Sequence, residues 1–440
     1  MIERGARLTL DIDKPAAGGR MLARHAGLVV LVSGTIPGER VMARVERVAK
    51  GVAFADTEAV ITASPDRRAG SPDWRCGGDV LSHIAYPRQL TLKSQIIQDA
   101  FARIGRMPLG ALPAVLGSPE QGYRMRARLH VQRGRIGFFR EGTHDICDPR
   151  LTRQLLPATL DWITSATVVL DEIAQARGEP ETAIVALELA ENLDGSQRAV
   201  HLELHAGSDP TPFGVFAGAL AGLSAQAADA REPTVLGGTP VIADDLECGG
   251  ARLTLQRDVR SFFQGNRYLL QLLIERVAAL AGARPVVDLY AGVGLFGLSL
   301  AAAGAPSVTL VEGDPISGAD LTRNAQPFGQ QVRVQRQSVE AFLSRQKIGS
   351  HSSTARRSSS GAVGSVFIVD PPRTGMSREA LTGVISHQPP TLVYVSCDVA
   401  TLARDARTLV DAGWELQEVT GIDLFPNTAH VESIAVFSRG

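Results

Sequence analysis

The first sixty residues alternate apolar and polar positions in short runs that Gly and Pro interrupt, as in RLTLDID and GLVVLVSGTIPGERVMARVERVAKG. A period of two places alternate side chains on opposite faces of a strand. Several such strands at close spacing predict a small β-barrel, which we place at 1–63. Barrels of this size bind oligonucleotides or serve only for packing, so the fold alone assigns no function.

The next part of the chain mixes the two periodicities. LKSQIIQDAFARIG and TLDWITSATVVLDEIAQARG have helical spacing, whereas RARLHVQRGRIGFF between them reads as strand. We therefore predict a mixed α/β region over 64–250.

From 251 onwards apolar strands and helices alternate regularly, which predicts an α/β fold with a doubly wound parallel sheet over 251–440. SRQKIGSHSSTARRSSSGAVGS (344–365) departs from this pattern because it is rich in Ser, Gly and Arg and almost without apolar residues. This composition predicts a disordered surface insertion.

Composition narrows the class of protein. The chain has 440 residues, 44% of them hydrophobic and 21% charged, as expected for a soluble protein of two or three domains. It has neither an apolar run long enough to span a membrane nor an N-terminal export signal. We expect a cytoplasmic monomer without a membrane partner. Four widely separated cysteines in such a protein are expected to be reduced thiols.

The net charge of −1 hides an asymmetry. Residues 1–150 contain 23 Lys and Arg against 15 Asp and Glu, an excess of +8 that suits a polyanionic partner. The basic residues are densest in YRMRARLHVQRGRIGFFR (123–140), where Arg124, Arg126 and Arg128 would line one face of a strand. A solvated strand face is the alternative interpretation of this run.

PVVDLYAGVGLFGLSLAAAG (285–304) combines a buried strand, a glycine turn and a helix start. Gly292, Gly294 and Gly297 satisfy G-x-G-x-x-G, which by itself suits either a dinucleotide or S-adenosylmethionine. Glu312 ends the next strand, where an acid can bind a ribose. Asp288 favours the methyl donor, because it could bind the amino group of the methionine part but would repel a pyrophosphate.

Four strings carry a more specific resemblance: SFFQGN (261–266), DLYAGVGLFGLSLA (288–301), DPPRTG with LVYVSCDVAT (370–401), and DLFPNTAHVESI (423–434). With them, the chain resembles the TrmA/RlmD-type family of RNA uridine-C5 methyltransferases. The N-terminal barrel is similar, more weakly, to a TRAM RNA-binding domain. The resemblance implies a C-terminal Rossmann-like class I methyltransferase domain.

The resemblance also implies a reaction and its residues. Cys397 would add to C6 of a uracil ring and Glu432 would remove the C5 proton after methyl transfer. The methyl donor, S-adenosylmethionine, would contact a set of cofactor-binding residues: Gln264, Asp288, Tyr290, Gly292, Glu312 and Asp370. The expected partner is a structured RNA, 23S ribosomal RNA in the first place and transfer RNA as the alternative, held in part by the basic strand of Arg124, Arg126 and Arg128.

Two departures from the family pattern matter. Many relatives hold an iron-sulfur cluster on four cysteines, but here Gly70 and Asp79 stand at two of those positions and only Cys76 and Cys147 remain, so we predict that the cluster is absent and that no metal is bound. Asp398 replaces the usual Asn after the nucleophile, and a carboxylate there should raise the thiol pKa unless it is paired or points away.

Two hypotheses from other classes stay open at this point. One is an RNA-binding protein that has lost the chemistry, and the other is an NAD-dependent oxidoreductase built on the glycine turn. Covalent trapping by a 5-fluorouridine RNA would distinguish the first from an active enzyme, and dinucleotide binding would identify the second.

Overall fold

Five strands at the N-terminus close into a barrel in the computed structural model, which describes residues 2–16, 18–177, 183–345 and 364–439. Alternate side chains of the first strand are buried, so the predicted period of two is what fills the barrel. The strands follow the order β1-β2-β3-β5-β4, and β1 also pairs with β4. Their bounds are β1 Arg7–Pro15, β2 Met21–His25, β3 Leu28–Ser33, β4 Arg40–Ala49 and β5 Val52–Thr62.

The helix that follows, α1 (Tyr86–Arg103), packs against both the N-terminal barrel and the C-terminal region. Its Leu92 packs in the barrel core, whereas its Ile97 and Phe101 pack in the core of the C-terminal region. The short strand β6 (Val115–Leu116) pairs with the edge of the C-terminal sheet. Part of the predicted middle region is therefore built into the C-terminal one.

The remainder of the middle region forms a seven-stranded sheet in the order β13-β12-β11-β10-β7-β8-β9. One face of this sheet packs against α2 in a continuous apolar core. The elements are β7 Arg126–Gln132, β8 Arg135–Phe139, β9 Ile146–Cys147, α2 Pro157–Arg177, β10 Ile184–Glu191, β11 Arg198–Leu204, β12 Gly222–Ala227 and β13 Thr234–Gly238.

A hairpin of β14 (Val241–Cys248) and β15 (Ala251–Asp258) leads into the C-terminal region and packs on its helices. The predicted boundary between 250 and 251 falls in the turn of this hairpin. The division into three domains at these residues stays a prediction.

The C-terminal region is an eight-stranded sheet in the order β18-β17-β16-β19-β20-β22-β21-β6 with helices packed on it. The first five strands are parallel, as predicted, and β22 is antiparallel to both neighbours. The expected Rossmann-like fold is confirmed. The elements are α3 Leu270–Ala281, β16 Val286–Leu289, α4 Leu295–Ala302, β17 Val308–Glu312, α5 Pro315–Ala325, β18 Val332–Arg336, α6 Val339–Arg345, β19 Val366–Val369, α7 Arg378–His387, β20 Thr391–Ser396, α8 Val399–Asp411, β21 Glu415–Ile422 and β22 Glu432–Ser438.

Most of the predicted serine-rich insertion, residues 346–363, lies outside the described residues. Within the described ranges, none of the helices combines the length and the apolar character that a membrane crossing requires.

A fully buried ion pair joins α1 to the loop after β21. Lys93 Nζ lies 2.5 Å from Asp423 Oδ1 and also donates to the carbonyl of Phe425. Tyr86 donates to the other carboxylate oxygen of Asp423, at 3.0 Å. Burial lowers the pKa of Lys93, while the charge of Asp423 opposes that shift.

We expect Lys93→Met to lower the free energy of unfolding by about 3–5 kcal/mol, because it leaves the Asp423 carboxylate buried without its cation. Lys93→Met combined with Asp423→Leu should cost less than Lys93→Met alone. Arg103→Met is the matched control, since Arg103 pairs with Asp99 on the exposed face of the same helix and its loss should cost under about 1 kcal/mol. Urea unfolding measures all three variants, and a similar loss for Lys93→Met and Arg103→Met would contradict the prediction.

Candidate active site

The glycine turn lies between β16 and α4, at the carboxyl ends of the parallel strands. Tyr290 has a φ of 63°, which is unusual for a residue with a side chain and marks a strained turn. A Cβ on Gly297 would approach the Leu310 side chain to 2.1 Å, so only glycine allows α4 to pack this closely on β17. The start of α4 therefore lies at the sheet edge where ligands bind in open α/β folds.

Two predicted cofactor-binding acids flank this turn. Glu312 accepts hydrogen bonds from the Gly292 amide at 2.7 Å and the Asp314 amide at 2.6 Å, so its carboxylate is held beside the turn. Asp288 is fully buried at the end of β16 and accepts from the Gly297 amide through Oδ2 at 2.8 Å. Its Oδ1 has no hydrogen-bond partner among the described residues. Burial raises the pKa of Asp288 to about 8.

This donor set fits the amino acid part of S-adenosylmethionine. A buried carboxylate with one unsatisfied oxygen is costly unless it is protonated or faces a cation. An ammonium group would supply both the charge and the hydrogen bond that Asp288 lacks.

Asp370 follows β19 and lies between the cofactor side and the reaction side of the crevice. Gln264 Nε2 donates to its Oδ2 at 3.0 Å, so these two predicted residues are brought together although they are far apart in sequence. Burial raises the pKa of Asp370 to about 7, while the Gln264 hydrogen bond opposes the shift. The charge of Asp370 acts on Asp288, Cys397 and Glu432.

The two predicted catalytic residues meet where β20 and β22 run antiparallel. Ser396 pairs with Ser433 as the last pair of that ladder. Cys397 follows the first and Glu432 precedes the second, and the two side chains are close enough for the Glu432 charge to act on the Cys397 thiol. Glu432 is 1% exposed, and its Oε1 has no hydrogen-bond partner among the described residues. Burial raises the pKa of Glu432 well above its usual range, and the nearby Asp370 adds to this.

Arg373 is a site residue that the sequence analysis did not identify. Burial and the Glu432 charge raise the pKa of the Cys397 thiol to about 11, while Arg373 lowers it through its charge and a side-chain hydrogen bond. Arg373 also opposes the shift of Glu432. The motif DPPRTG could have indicated this residue, because its arginine comes shortly after the end of β19.

The Asp398 side chain is engaged at the start of α8. Its Oδ1 accepts a hydrogen bond from the Thr401 amide at 2.8 Å and so caps the helix. The main causes that raise the Cys397 pKa are burial, Glu432 and Asp370. A carboxylate at a helix N-terminus is favourable, so this position suits Asp as well as Asn.

The three predicted RNA-binding arginines have different surroundings. Arg124 lies close enough to Arg373 for their charges to interact, and it donates to Gln154 at 2.8 Å. Arg126 pairs with Glu188 and Arg128 with Glu203. Their role in binding RNA stays a prediction.

Cys76 and Cys147 form a disulfide, so the expectation that all four cysteines are reduced is wrong for these two. They meet because Cys76 bridges to Arg140 while β9, which ends at Cys147, pairs with β8. Residues Gly70 and Asp79 at the other two positions offer no thiolate. This set does not fit an iron-sulfur cluster.

Comparisons with known proteins give a consistent picture. Residues 227–439 match the family described as tRNA (uracil-5-)-methyltransferase, and residues 2–57 match the TRAM domain. The chain is 32% identical to the 23S rRNA (uracil(1939)-C(5))-methyltransferase RlmD of Halomonas elongata, over 100% of this chain and 92% of the relative. It is 31% identical to the protein of the same name from Azoarcus, over 96% and 97% of the two chains.

A solved structure shares the fold over nearly the whole chain. The tRNA (uracil-54, C5)-methyltransferase of Pyrococcus abyssi, in complex with S-adenosyl-L-homocysteine, matches with a TM-score of 0.73 and 23% identity, covering 97% of this chain and 99% of that one. The match covers both the N-terminal barrel and the C-terminal Rossmann-like sheet, so the two occur together in that structure as well.

We expect Asp398→Asn to leave the melting temperature and the methylation rate nearly unchanged, because Asn caps a helix as well as Asp. Asp398→Ala should lower the free energy of unfolding by about 1 kcal/mol through the lost cap. Thermal unfolding and a methyl-transfer assay test both variants. A large rate increase in Asp398→Asn would show instead that the carboxylate impairs the thiol.

Proposed function

Because this chain belongs to the RNA uracil-C5 methyltransferase family, we propose that it transfers a methyl group from S-adenosylmethionine to C5 of a uridine in a structured RNA. The observation that carries the proposal is the proximity of Cys397 and Glu432 at the ends of β20 and β22, where the Glu432 charge acts on the thiol and Asp370 and Arg373 act on both. A nucleophile and a base on neighbouring strand ends can act on one ring.

The thiol provides the activation that uracil needs. C5 becomes nucleophilic only after addition at C6, so Cys397 Sγ would form a bond to C6 while its proton leaves. With a pKa of about 11 the thiol is neutral at pH 7 and needs an acceptor for that proton. The Arg373 charge lowers the thiol pKa, and Asp370 is a nearby carboxylate that takes the proton as the Sγ–C6 bond forms.

Asp288, Glu312 and the glycine turn would hold S-adenosylmethionine, which would supply an electrophilic methyl group. Glu432 then removes the proton from C5 and the bond between C6 and Cys397 breaks, which restores the ring. A buried carboxylate with a raised pKa is a strong base once ionised, and the Arg373 charge favours that ionised form. The uridine must be unstacked from the RNA to reach this crevice.

We favour 23S ribosomal RNA as the substrate, because two relatives that align over nearly the whole chain at 31% and 32% identity bear that activity in their names. Transfer RNA is the second candidate, supported by the description of the matching family. The NAD-dependent alternative is disfavoured because the unsatisfied Oδ1 of Asp288 suits an ammonium group, which a pyrophosphate does not offer.

We expect Cys397→Ala to abolish the formation of 5-methyluridine and Glu432→Gln to accumulate a covalent complex, since its adduct cannot lose the C5 proton. The assay incubates the protein with labelled S-adenosylmethionine and RNA from a strain lacking the gene, followed by nucleoside mass spectrometry and denaturing gels. Cys248→Ala is the control, because this buried free thiol lies outside the site. Full activity of Cys397→Ala would refute the mechanism.

Binding of S-adenosyl-L-homocysteine should release protons below pH 8. The pKa of Asp288 is about 8 without a partner, and an ammonium group beside it lowers that pKa, so the complex holds fewer protons than the free components. Affinity should therefore rise as the pH rises from 6.5 to 8 and level off above, by at most about tenfold per unit for each proton released.

Calorimetry in buffers of different ionisation enthalpy counts the released protons, and Asp288→Asn should release fewer. The same affinity at pH 6.5 and pH 8 in the wild-type protein would contradict this account of Asp288.

A further inference from the structure

The outer face of β7 runs from the active site to a separate cleft. Its side chains alternate between the apolar core and the outer surface, which carries Arg126, Arg128, His130 and Gln132. Arg124, just before the strand, interacts with Arg373 of the active site. With a rise of about 3.3 Å per residue, His130 lies about 20 Å from Arg124 along this face.

A stack of aromatic rings stands at the far end of the face. The His130 ring lies parallel to that of Phe139 with centroids 3.5 Å apart, and His144 contacts the other ring edge-on at 5.4 Å. These rings border a cleft of about 680 Å³ that also includes Arg133 and Arg135. His144 and both arginines are exposed, so the cleft is open to solvent.

The residues lining the cleft carry more positive than negative charge. Arg133 and Arg135 form no ion pair with a described residue, although Asp171 Oδ1 lies beside Gly134 between them. Asp148, whose pKa the charge of Arg135 lowers, is paired with Arg150. Asp145 is the one carboxylate among the described residues that line the cleft.

The middle of the face differs from this cleft because its two arginines form ion pairs with glutamates. Arg126 and Arg128 are paired with Glu188 and Glu203, respectively. A polyanion that follows β7 would therefore be attracted mainly at the two ends, by Arg124 with Arg373 and by Arg133 with Arg135.

We propose that this cleft is a second RNA-binding site, which adds one unpaired base to the outer face of the stacked pair of His130 and Phe139 and binds the adjoining phosphates through Arg133 and Arg135. The inference rests on the proposed function only in taking RNA as the substrate. Aromatic rings beside unpaired arginines are what single-stranded RNA requires, since every base has a face that stacks and every linkage carries a charge. The site would anchor the strand about 20 Å from Arg124, at the far end of this face from the active site.

The test uses a fluorescein-labelled oligoadenylate, which contains no uridine and so cannot react at Cys397. Fluorescence anisotropy measures its affinity for the full-length protein at several salt concentrations. Phe139→Leu should weaken binding about tenfold by removing a stacking ring, and Phe139→Tyr should restore it. Arg135→Gln should weaken binding and make the slope of log affinity against log salt shallower by about 0.7, whereas Phe139→Leu should leave that slope unchanged.

Arg333→Gln is the matched control, because Arg333 is an exposed arginine on the edge strand β18 of the other sheet. It should bind oligoadenylate as the wild-type protein does. Arg135→Gln replaces an exposed side chain, so it remains informative if Phe139→Leu fails to fold, which thermal unfolding would reveal.

The results separate this inference from the proposed function. If the wild-type protein does not bind oligoadenylate, or if Phe139→Leu and Arg135→Gln bind it unchanged, the second site is refuted whether or not RNA is methylated. If binding depends on these residues, the site stands even where no 5-methyluridine forms. In an active enzyme, both variants should raise KM for the RNA and leave kcat nearly unchanged.

Discussion

The buried ion pair of Lys93 and Asp423 is the constraint on which the active site depends. Asp423 opens the loop between β21 and β22, and β22 begins with Glu432. The same loop is held by Gln89, which exchanges hydrogen bonds with both the amide and the side chain of Asn427. Because Lys93 and Gln89 lie on α1, the helix that also packs against the barrel, the front of the chain fixes the strand that carries the base. Removing one partner of a buried ion pair leaves the other charge buried and unpaired, which is costly. The pair therefore favours this one arrangement of α1 and the loop.

The chemistry of the site follows from three carboxylates that share one poorly hydrated crevice. Asp288, Asp370 and Glu432 each have a raised pKa, chiefly because burial disfavours their charge, and Asp370 adds to the shift of the other two. Such a group is ready either to hold a proton or to take one, depending on which cation lies beside it. Arg373 provides that cation on the side of Cys397, and a ligand ammonium would provide it on the side of Asp288. Because the charge of Asp370 acts on both Asp288 and Glu432, ligand binding beside one carboxylate and proton transfer at another are electrostatically linked.

The middle sheet shows how a basic segment can be divided between structure and binding. Arg126 and Arg128 form ion pairs with acids of the same sheet, so their charges are neutralised within the protein. Arg133 and Arg135, in the same basic stretch of sequence, form no ion pair with a described residue, although Asp171 lies beside the turn between them. Counting charges along the sequence gives the sign of the partner, whereas the pairing across strands decides which residues are free to meet it.

The sequence by itself determined the barrel, the Rossmann-like sheet and the residues at its strand ends, because hydrophobic periodicity and the strings around Asp288, Asp370 and Cys397 are local properties of the chain. It also suggested the ligand from the charge of one carboxylate. Only the tertiary structure decided that Cys76 meets Cys147, that α1 packs against both the C-terminal sheet and the barrel, and that the Asp398 side chain caps α8. These outcomes depend on contacts between residues far apart in sequence and on the direction of side chains, and neither is encoded in a local pattern.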